Sequence, residues 1–197
     1  MKLLLTEHFE SKNLLKEFNL LKDEEIKQIY LGLKWTSGNC LQTVVIGGVA
    51  IVSYFKESRA LTPDLDFLVH DLEKLKVKLD NDGILYKELK GSNGIIGINV
   101  PKFNTDYLTK DVGNKTINKL IIKTSRKTLI GGYDVQIIIP ELLAIMKLEL
   151  GRDKDINDGL KLINSGVLNK ELYLEILNKL KPNLIDYEAF LSYAILI

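Results

Sequence analysis

The sequence predicts an α+β protein, in which a mixed β-sheet core follows an N-terminal helical segment and precedes a helical C-terminal part. Apolar residues recur at helical spacing from about Thr6 to Lys34, and the pattern is helical again from Pro140 onward. Between them, from about 41 to 139, short β-branched and apolar runs alternate with turn residues. We therefore divide the chain into a sheet core with N-terminal helices, residues 1–139, and a helical part packed on it, residues 140–197.

The N-terminal segment predicts helices on both sides of Asp23, a residue type that favours helix N-caps. The apolar residues that set the helical spacing there are Leu14, Phe18, Leu21, Ile26, Ile29, Tyr30 and Leu33. The Thr-Ser-Gly-Asn run at 36–39 favours a turn, so we expect the second helix to end before it.

The middle of the chain predicts at least four strands and a hairpin. The strands are expected at 43–46, 65–69, 95–100 and 104–108, and Gly131-Gly132 joins 128–130 to 134–139 as a hairpin. The run 43–46 is mostly apolar and β-branched, which is typical of a buried central strand. Gly47-Gly48 ends it, and residues 49–57 favour a helix.

The C-terminal part predicts helices with recognisable ends. Pro140 suits the first turn of a helix that ends at Leu150, Asp153 favours the cap of a second, and Asn169 the cap of a third that ends at Leu180. Pro182 ends the third helix. The last four residues, 194–197, are apolar, and we expect them to dock on the core.

Composition excludes several classes of protein. In 197 residues, 27 Lys and Arg stand against 26 Asp and Glu, so a net charge of +1 gives no general attraction to nucleic acid or membrane. One cysteine, Cys40, excludes an intramolecular disulfide and a multi-cysteine zinc site. His8 and His70 lie far apart, which argues against a Ser-His-Asp triad. Without a signal segment or a membrane-length apolar run, we expect a cytoplasmic protein with no membrane partner.

Three acidic residues are candidates for a metal site. Asp64 and Asp66 share one face of a strand, about 7 Å apart, and a cation between them would relieve their repulsion. Mg²⁺ suits carboxylates that work together with phosphate oxygens. The alternative is a pair of solvated carboxylates at a strand end. Asp106 lies in a later strand, where it either joins the pair or is an exposed position of the alternating pattern.

Glycines and cations supply candidate phosphate contacts. Gly47-Gly48 separates a strand from a helix, an arrangement that either binds phosphate at the helix start or makes an ordinary tight turn. Lys147 lies in an apolar helix and needs a partner or a functional reason, unless it extends to solvent. Arg152 and Asp155 either belong to the site or brace helix ends.

Two ordered sets of residues resemble a known family. Gly47-Gly48-x-Ala, Arg59-x-x-Thr-x-Asp-Leu-Asp and a later strand Asp resemble the nucleotidyltransferase superfamily of the DNA polymerase β type. The closest branch includes minimal nucleotidyltransferases and abortive-infection type toxins. Its helical Lys and Arg-x-Lys-Asp-x-x-Asp motif is similar to Lys147 and to residues 152–158. The resemblance covers about residues 41–164.

The resemblance implies a nucleotidyltransferase core that moves an NMP group from an NTP, such as ATP, to a hydroxyl of RNA (tRNA) or protein. It implies Mg²⁺ held by the catalytic carboxylates Asp64, Asp66 and Asp106. The implied nucleotide-binding residues are Gly47, Gly48, Thr62, Lys147 and Arg152. A toxin with an antitoxin partner is one expectation. The alternative is an inactive nucleotide- or partner-binding protein of the same fold.

Two further features bear on these alternatives. Many superfamily members have Ser after the second glycine, where this chain has Val49, which weakens the phosphate assignment. A basic stretch could contact a nucleic-acid acceptor, although the balanced net charge favours a solvated strand face. It comprises Lys115, Lys119, Lys123, Arg126 and Lys127. Residues 113–116 fail to match a P-loop and are expected to form a loop.

Overall fold

The computed structural model describes residues 10–11, 23–39, 41–54, 64–92, 94–110 and 114–197. In these ranges eight strands form one mixed sheet. The strands are β1 (Glu10–Ser11), β2 (Thr43–Ile46), β3 (Leu65–Val69), β4 (Lys87–Gly91), β5 (Gly94–Val100), β6 (Thr105–Thr109), β7 (Arg126–Ile130) and β8 (Tyr133–Ile137). The helices are α1 (Asp23–Gly38), α2 (Gly47–Tyr54), α3 (Leu72–Asn81), α4 (Lys115–Thr124), α5 (Pro140–Leu150), α6 (Asp153–Asn164), α7 (Lys170–Leu180) and α8 (Tyr187–Tyr193), with short 3-10 helices at 101–103 and 181–183.

The strand order places β2 and β3 in the middle of the sheet. The order is β1-β7-β8-β2-β3-β6-β5-β4, with β1–β7, β8–β2 and β3–β6 parallel and the other pairs antiparallel. All four residues of β2 are buried, as expected for an apolar strand covered on both faces. β3 is therefore held between β2 and β6.

One face of the sheet carries an aromatic cluster under α1. Phe67 of β3 stacks on Tyr107 of β6 with ring centroids 5.2 Å apart, and Trp35 of α1 lies edge-on to Tyr107 at 6.4 Å. The Tyr107 hydroxyl and Thr36 Oγ1 form a buried hydrogen bond of 2.7 Å. Because side chains alternate along a strand, Asp66 points to the opposite face, towards α4 and α5.

The C-terminal helices cover that opposite face. α5 is mostly apolar, and Leu142, Leu143, Ala144 and Ile145 have no exposed surface. It packs against α4, α6 and α7, and α6 comes so close that Gly159 lies directly against Leu148. Within the described parts of the chain, no helix is both long and apolar enough to cross a membrane.

The α+β class and most of the central elements are confirmed. β2, β3 and α5 have the expected bounds, β5 and β6 differ from them by one residue, and the hairpin at Gly131-Gly132 joins β7 to β8. Asn169 caps α7, since its side chain accepts a hydrogen bond from Leu172 N at 2.8 Å. The division at residues 139 and 140 stays a prediction.

Several element predictions were wrong. α1 continues through residues 36–38, because the buried Thr36 side chain bonds within the core. Glu10–Ser11 form a strand in a segment expected to be helical. Arg152, not Asp153, is the N-cap residue of α6. At the C-terminus the expected docking is confirmed only in part: Ala194 is buried and Ile197 packs against the core, whereas Ile195 and Leu196 are 81% and 54% exposed.

The remaining differences concern elements that the sequence patterns missed. No helix was expected specifically at α3 and no strand at β4, and residues 115–124 form a helix where a loop and a strand face were expected. The basic residues at 115, 119 and 123 therefore lie on α4, and only those at 126 and 127 lie on a strand. Leu14, Phe18, Leu21, Cys40, Arg59 and Thr62 lie outside the described residues.

Candidate active site

The three candidate carboxylates lie at the start of two neighbouring parallel strands. Asp66 of β3 and Asp106 of β6 are register partners, and Asp64 directly precedes β3. Partners on adjacent strands are about 4.8 Å apart, so these two side chains project side by side from the same face. The structure therefore brings together acids that are separated by 40 positions in the sequence.

Among the residues that the structure describes, nearby cations leave part of the negative charge of the acidic cluster unbalanced. Burial, together with the neighbouring charges of Asp64 and Asp106 and against the opposing effect of Lys147 and Lys154, raises the pKa of Asp66 to about 7. Asp64 Oδ1 is buried and accepts no hydrogen bond from any described residue. Both observations indicate a position where a cation or a proton is favourable.

Gly47 allows the Asp66 carboxylate to lie against the backbone at the start of α2. Its φ of +66° is the left-handed conformation that glycine adopts without strain. A β carbon at this position would overlap the Asp66 carboxylate. Gly48 follows as a buried residue of α2 and, like Gly47 and Asp66, lines a cavity at this end of the sheet. The two glycines therefore place free N–H groups of the helix start next to the acids.

Asn99 is a polar residue of the site that the sequence analysis missed. It is the register partner of Asp106 across β5 and β6, and its Nδ2 donates a hydrogen bond of 2.6 Å to Asp106 Oδ1. An amide donor at this position holds the carboxylate in one orientation and engages one of its two oxygens. The available signal was a polar side chain between Ile98 and Val100 in an apolar strand.

Lys147 is buried and paired, so it does not extend to solvent. Its Nζ donates to Asp155 Oδ1 at 2.6 Å and lies 3.6 Å from Asp158 Oδ2. Arg152 Nε donates to the other Asp155 oxygen at 2.5 Å. Burial by itself would raise the pKa of Asp155, but the hydrogen bonds and charges of Lys147 and Arg152 hold it below its ordinary value. The network ties α5 to α6 beside the acids.

One cavity of about 420 Å³ connects most of the predicted site residues. Its lining includes Gly47, Gly48, Asp64, Asp66, Asp106, Lys147 and Arg152. Lys154 and Asn118 line it as well and were not predicted. Thr62 falls outside the described residues, and its position relative to the cavity stays a prediction.

The carboxylates fit a Mg²⁺ ion as part of its ligand shell and not as the whole of it. No group of three or more His, Cys, Asp or Glu side chains among the described residues is close enough to enclose a metal ion. Mg²⁺ typically takes one or two protein carboxylates and completes its shell with water and substrate phosphate oxygens. Asp64 and Asp66 provide that donor type, with a buried oxygen of Asp64 that lacks a partner.

Comparison with solved structures identifies the architecture. An antigenic nucleotidyltransferase-like protein from Paracoccidioides brasiliensis matches with a TM-score of 0.51 and 16% identity, over 89% of this chain and 94% of that one. The antibiotic-resistance factor ANT(2'')-Ia matches with a TM-score of 0.52 and 13% identity, over 81% and 90%. The chain has the nucleotidyltransferase fold. No protein-family model and no curated protein sequence matches it.

Within the nucleotidyltransferase fold, this chain differs from many members after the second glycine. Val49 is 1% exposed and packs in the core, so its side chain cannot reach a phosphate. Ser53, one turn later, donates its hydroxyl to Val49 O at 2.8 Å and is engaged within α2. Any phosphate contact from this helix therefore comes from backbone N–H groups alone.

Proposed function

We propose that this protein is a Mg²⁺-dependent nucleotidyltransferase that moves an NMP group from an NTP to a hydroxyl of RNA or protein and releases pyrophosphate. The observation that carries the proposal is the register pairing of Asp66 with Asp106, which sets two carboxylates side by side in a cavity beside Gly47. Phosphoryl transfer of this kind depends on positioning and charge neutralisation, which carboxylates, glycines and cations supply.

The acids would divide the work between metal binding and proton transfer. Asp64 and Asp66 would hold Mg²⁺, which when bound neutralises the phosphate charge and polarises the reacting phosphorus. Asp106 would accept the proton of the acceptor hydroxyl at Oδ2, because Asn99 engages Oδ1. Asn99 would keep that free oxygen directed into the cavity.

The glycines and the basic residues would bind the nucleotide. Backbone N–H groups at the start of α2, next to Gly47 and Gly48, would bind phosphate oxygens. The exposed Lys154 and Arg152 lie across the cavity and would balance the remaining charge of the triphosphate. Lys147, held by Asp155, would act as a fixed positive charge. A toxin activity, an antitoxin partner, a cytoplasmic location and a role for Thr62 follow from the sequence arguments alone and belong to the proposal.

The test is transfer of label from each α-labelled NTP, with Mg²⁺, to total RNA and to total protein of a cell extract. The unaltered protein should label one acceptor class, and Asp64→Asn/Asp66→Asn should label none. Asp134→Asn, at an exposed position of β8, is the control and should retain full transfer.

The opposite outcome would favour the inactive nucleotide-binding alternative. Equal labelling by the double variant would remove the carboxylates from the mechanism. If a folded protein labels neither RNA nor protein, binding of ATP should be measured by calorimetry. Retained ATP binding without transfer would leave a nucleotide-binding protein that has lost turnover.

A further inference from the structure

A second hollow, lined by basic side chains, lies at the far end of β3 and α4 from the acidic cluster. We propose that this hollow binds the phosphate backbone of an RNA acceptor, whose reacting end lies at Asp66 and Asp106. The inference rests on the proposed nucleotidyl transfer and selects RNA as its acceptor class.

The lining of the hollow is positive and polar. Its volume is about 520 Å³, and its lining comprises Gln42, His70, Lys110, Lys119, Ile122 and Lys123. Lys110 Nζ lies 3.3 Å from His70 Nε2. Among the described residues, no Asp or Glu lines the hollow.

This arrangement brings like charges together, which favours the binding of an anion. Lys119 and Lys123 are four positions apart on one helix, a spacing at which like charges repel. Both are exposed, and Lys110 adds a third ammonium group to the same hollow. The chain as a whole has almost equal numbers of acidic and basic residues, so this concentration of charge is local. Lysines presented together in this way bind phosphate groups mainly as point charges.

The hollow and the active-site cavity are directly adjacent. Thr109 and Asn118 line the cavity, while the next residues along the chain, Lys110 and Lys119, line the hollow. Asn118 Nδ2 donates to Lys110 O at 3.3 Å, which ties the end of β6 to α4 at this boundary. A nucleic-acid chain that leaves the cavity at this boundary would therefore pass along these lysines.

The separation favours a polymer over a small acceptor. Asp66 lies in β3 and His70 directly follows its last residue, so the two are four residues apart, about 13 Å along the strand direction. That distance corresponds to roughly four stacked nucleotides at about 3.4 Å each. A polymer of several nucleotides spans it, and the lack of any acid among the described residues that line the hollow favours a phosphate backbone over a protein acceptor.

Binding of a 5′-fluorescein single-stranded RNA, measured by anisotropy without NTP, tests the inference independently of transfer. Lys119→Ala/Lys123→Ala should weaken RNA binding roughly tenfold at about 0.1 M salt and lower the salt-dependence slope by about 1.4. Lys74→Ala/Lys78→Ala, with the same spacing and charge change on α3, should bind RNA like the unaltered protein. Equal binding by both double variants would overturn the inference.

Further arms separate this inference from the proposed function. The Asp64→Asn/Asp66→Asn protein should bind RNA, and Lys119→Ala/Lys123→Ala should weaken that binding by the same factor as in the unaltered protein, whether or not any transfer activity exists. If the lysine variant transfers NMP to RNA at the unaltered rate, the inference fails and the transferase stands. The inference also fails if this variant loses affinity for inorganic pyrophosphate but not for RNA, or if only protein is labelled and RNA does not bind.

Discussion

The backbone of Gly47 lies against the side chain of Asp66, with no space between them for a β carbon. Two features of the sequence meet here: the glycine pair that follows β2 and the acid at the second position of β3. Because β2 and β3 are antiparallel with Ile46 opposite Asp66, the contact follows from strand register. The proposed metal-binding acid and the proposed phosphate-binding helix start are therefore fixed relative to each other.

Gly47→Ala should abolish most of the transfer activity. The added methyl group would displace the Asp66 carboxylate and would also strain a backbone with φ of +66°. Gly83→Ala is a matched control, because Gly83 has φ of +62° but no atom within 4 Å of the added carbon. Both variants should lose about 1 kcal/mol of stability from the backbone, and only Gly47→Ala should lose activity. Equal activities would show that the contact with Asp66 is not needed.

Asp66→Asn should stabilise the metal-free protein at alkaline pH. The pKa of Asp66 is raised from 3.8 to about 7, so the folded state holds a proton that the unfolded state releases between these values. The free energy of unfolding of the unaltered protein therefore falls as pH rises from about 4 to about 8, by up to about 1.4 kcal/mol for each unit. The neutral Asn does not titrate, so the variant should be the more stable protein at about pH 8. Urea unfolding at about pH 5 and pH 8 measures this difference, and an unchanged difference at the two pH values would contradict it.

Asn99→Ala should lower kcat about tenfold with little change in KM for the NTP. The variant removes the donor that orients Asp106, while the phosphate contacts remain. Loss of one partly buried hydrogen bond should cost about 1 kcal/mol of stability. Asn164→Ala, which removes a donor to Leu160 O on α6, is the control and should retain kcat. A rise in KM with normal kcat would instead place Asn99 in nucleotide binding.

Lys147→Met should destabilise the fold by about 3–5 kcal/mol, because it leaves the carboxylates of Asp155 and Asp158 buried beside an apolar side chain. Replacing both acids in the same protein, as Lys147→Met/Asp155→Asn/Asp158→Asn, should recover much of that stability. Activity of the stable triple variant then reports the loss of the Lys147 charge together with the loss of the Asp155 carboxylate that binds Arg152. Urea unfolding that shows less than about 1 kcal/mol for Lys147→Met would contradict a structural pairing.

Sequence patterns predicted the centre of this fold better than its edges. β2 and β3 are buried on both faces, so their apolar runs are unambiguous. β4 is an edge strand of mostly exposed residues with the sequence Lys-Glu-Leu-Lys-Gly, which has no such apolar run. In α4, the buried Ile117 and Ile121 have helical spacing, but the lysines at 115, 119 and 123 were interpreted as part of a strand face.

The site residues that belong to one sequence motif were predictable. Those that meet through the packing of distant segments were not. Asp64, Asp66 and Gly47 belong to one ordered set, and the structure brings them together. Asn99 acts through strand pairing, which the order of residues does not show. Lys147 needed a partner, but the choice of Asp155 depends on how α6 packs on α5.

The parallel pairing of β3 with β6 also limits how the chain can change in length. The segment between these strands contains α3, β4 and β5, and extra residues in its turns would leave the pairing intact. A single deletion that shifts β6 by one position would turn Asp106 to the aromatic side of the sheet and place Tyr107 beside Asp66. Insertions in these turns are therefore compatible with the site. A shift of one residue in β6, in contrast, replaces the Asp106 carboxylate beside Asp66 with the phenol of Tyr107.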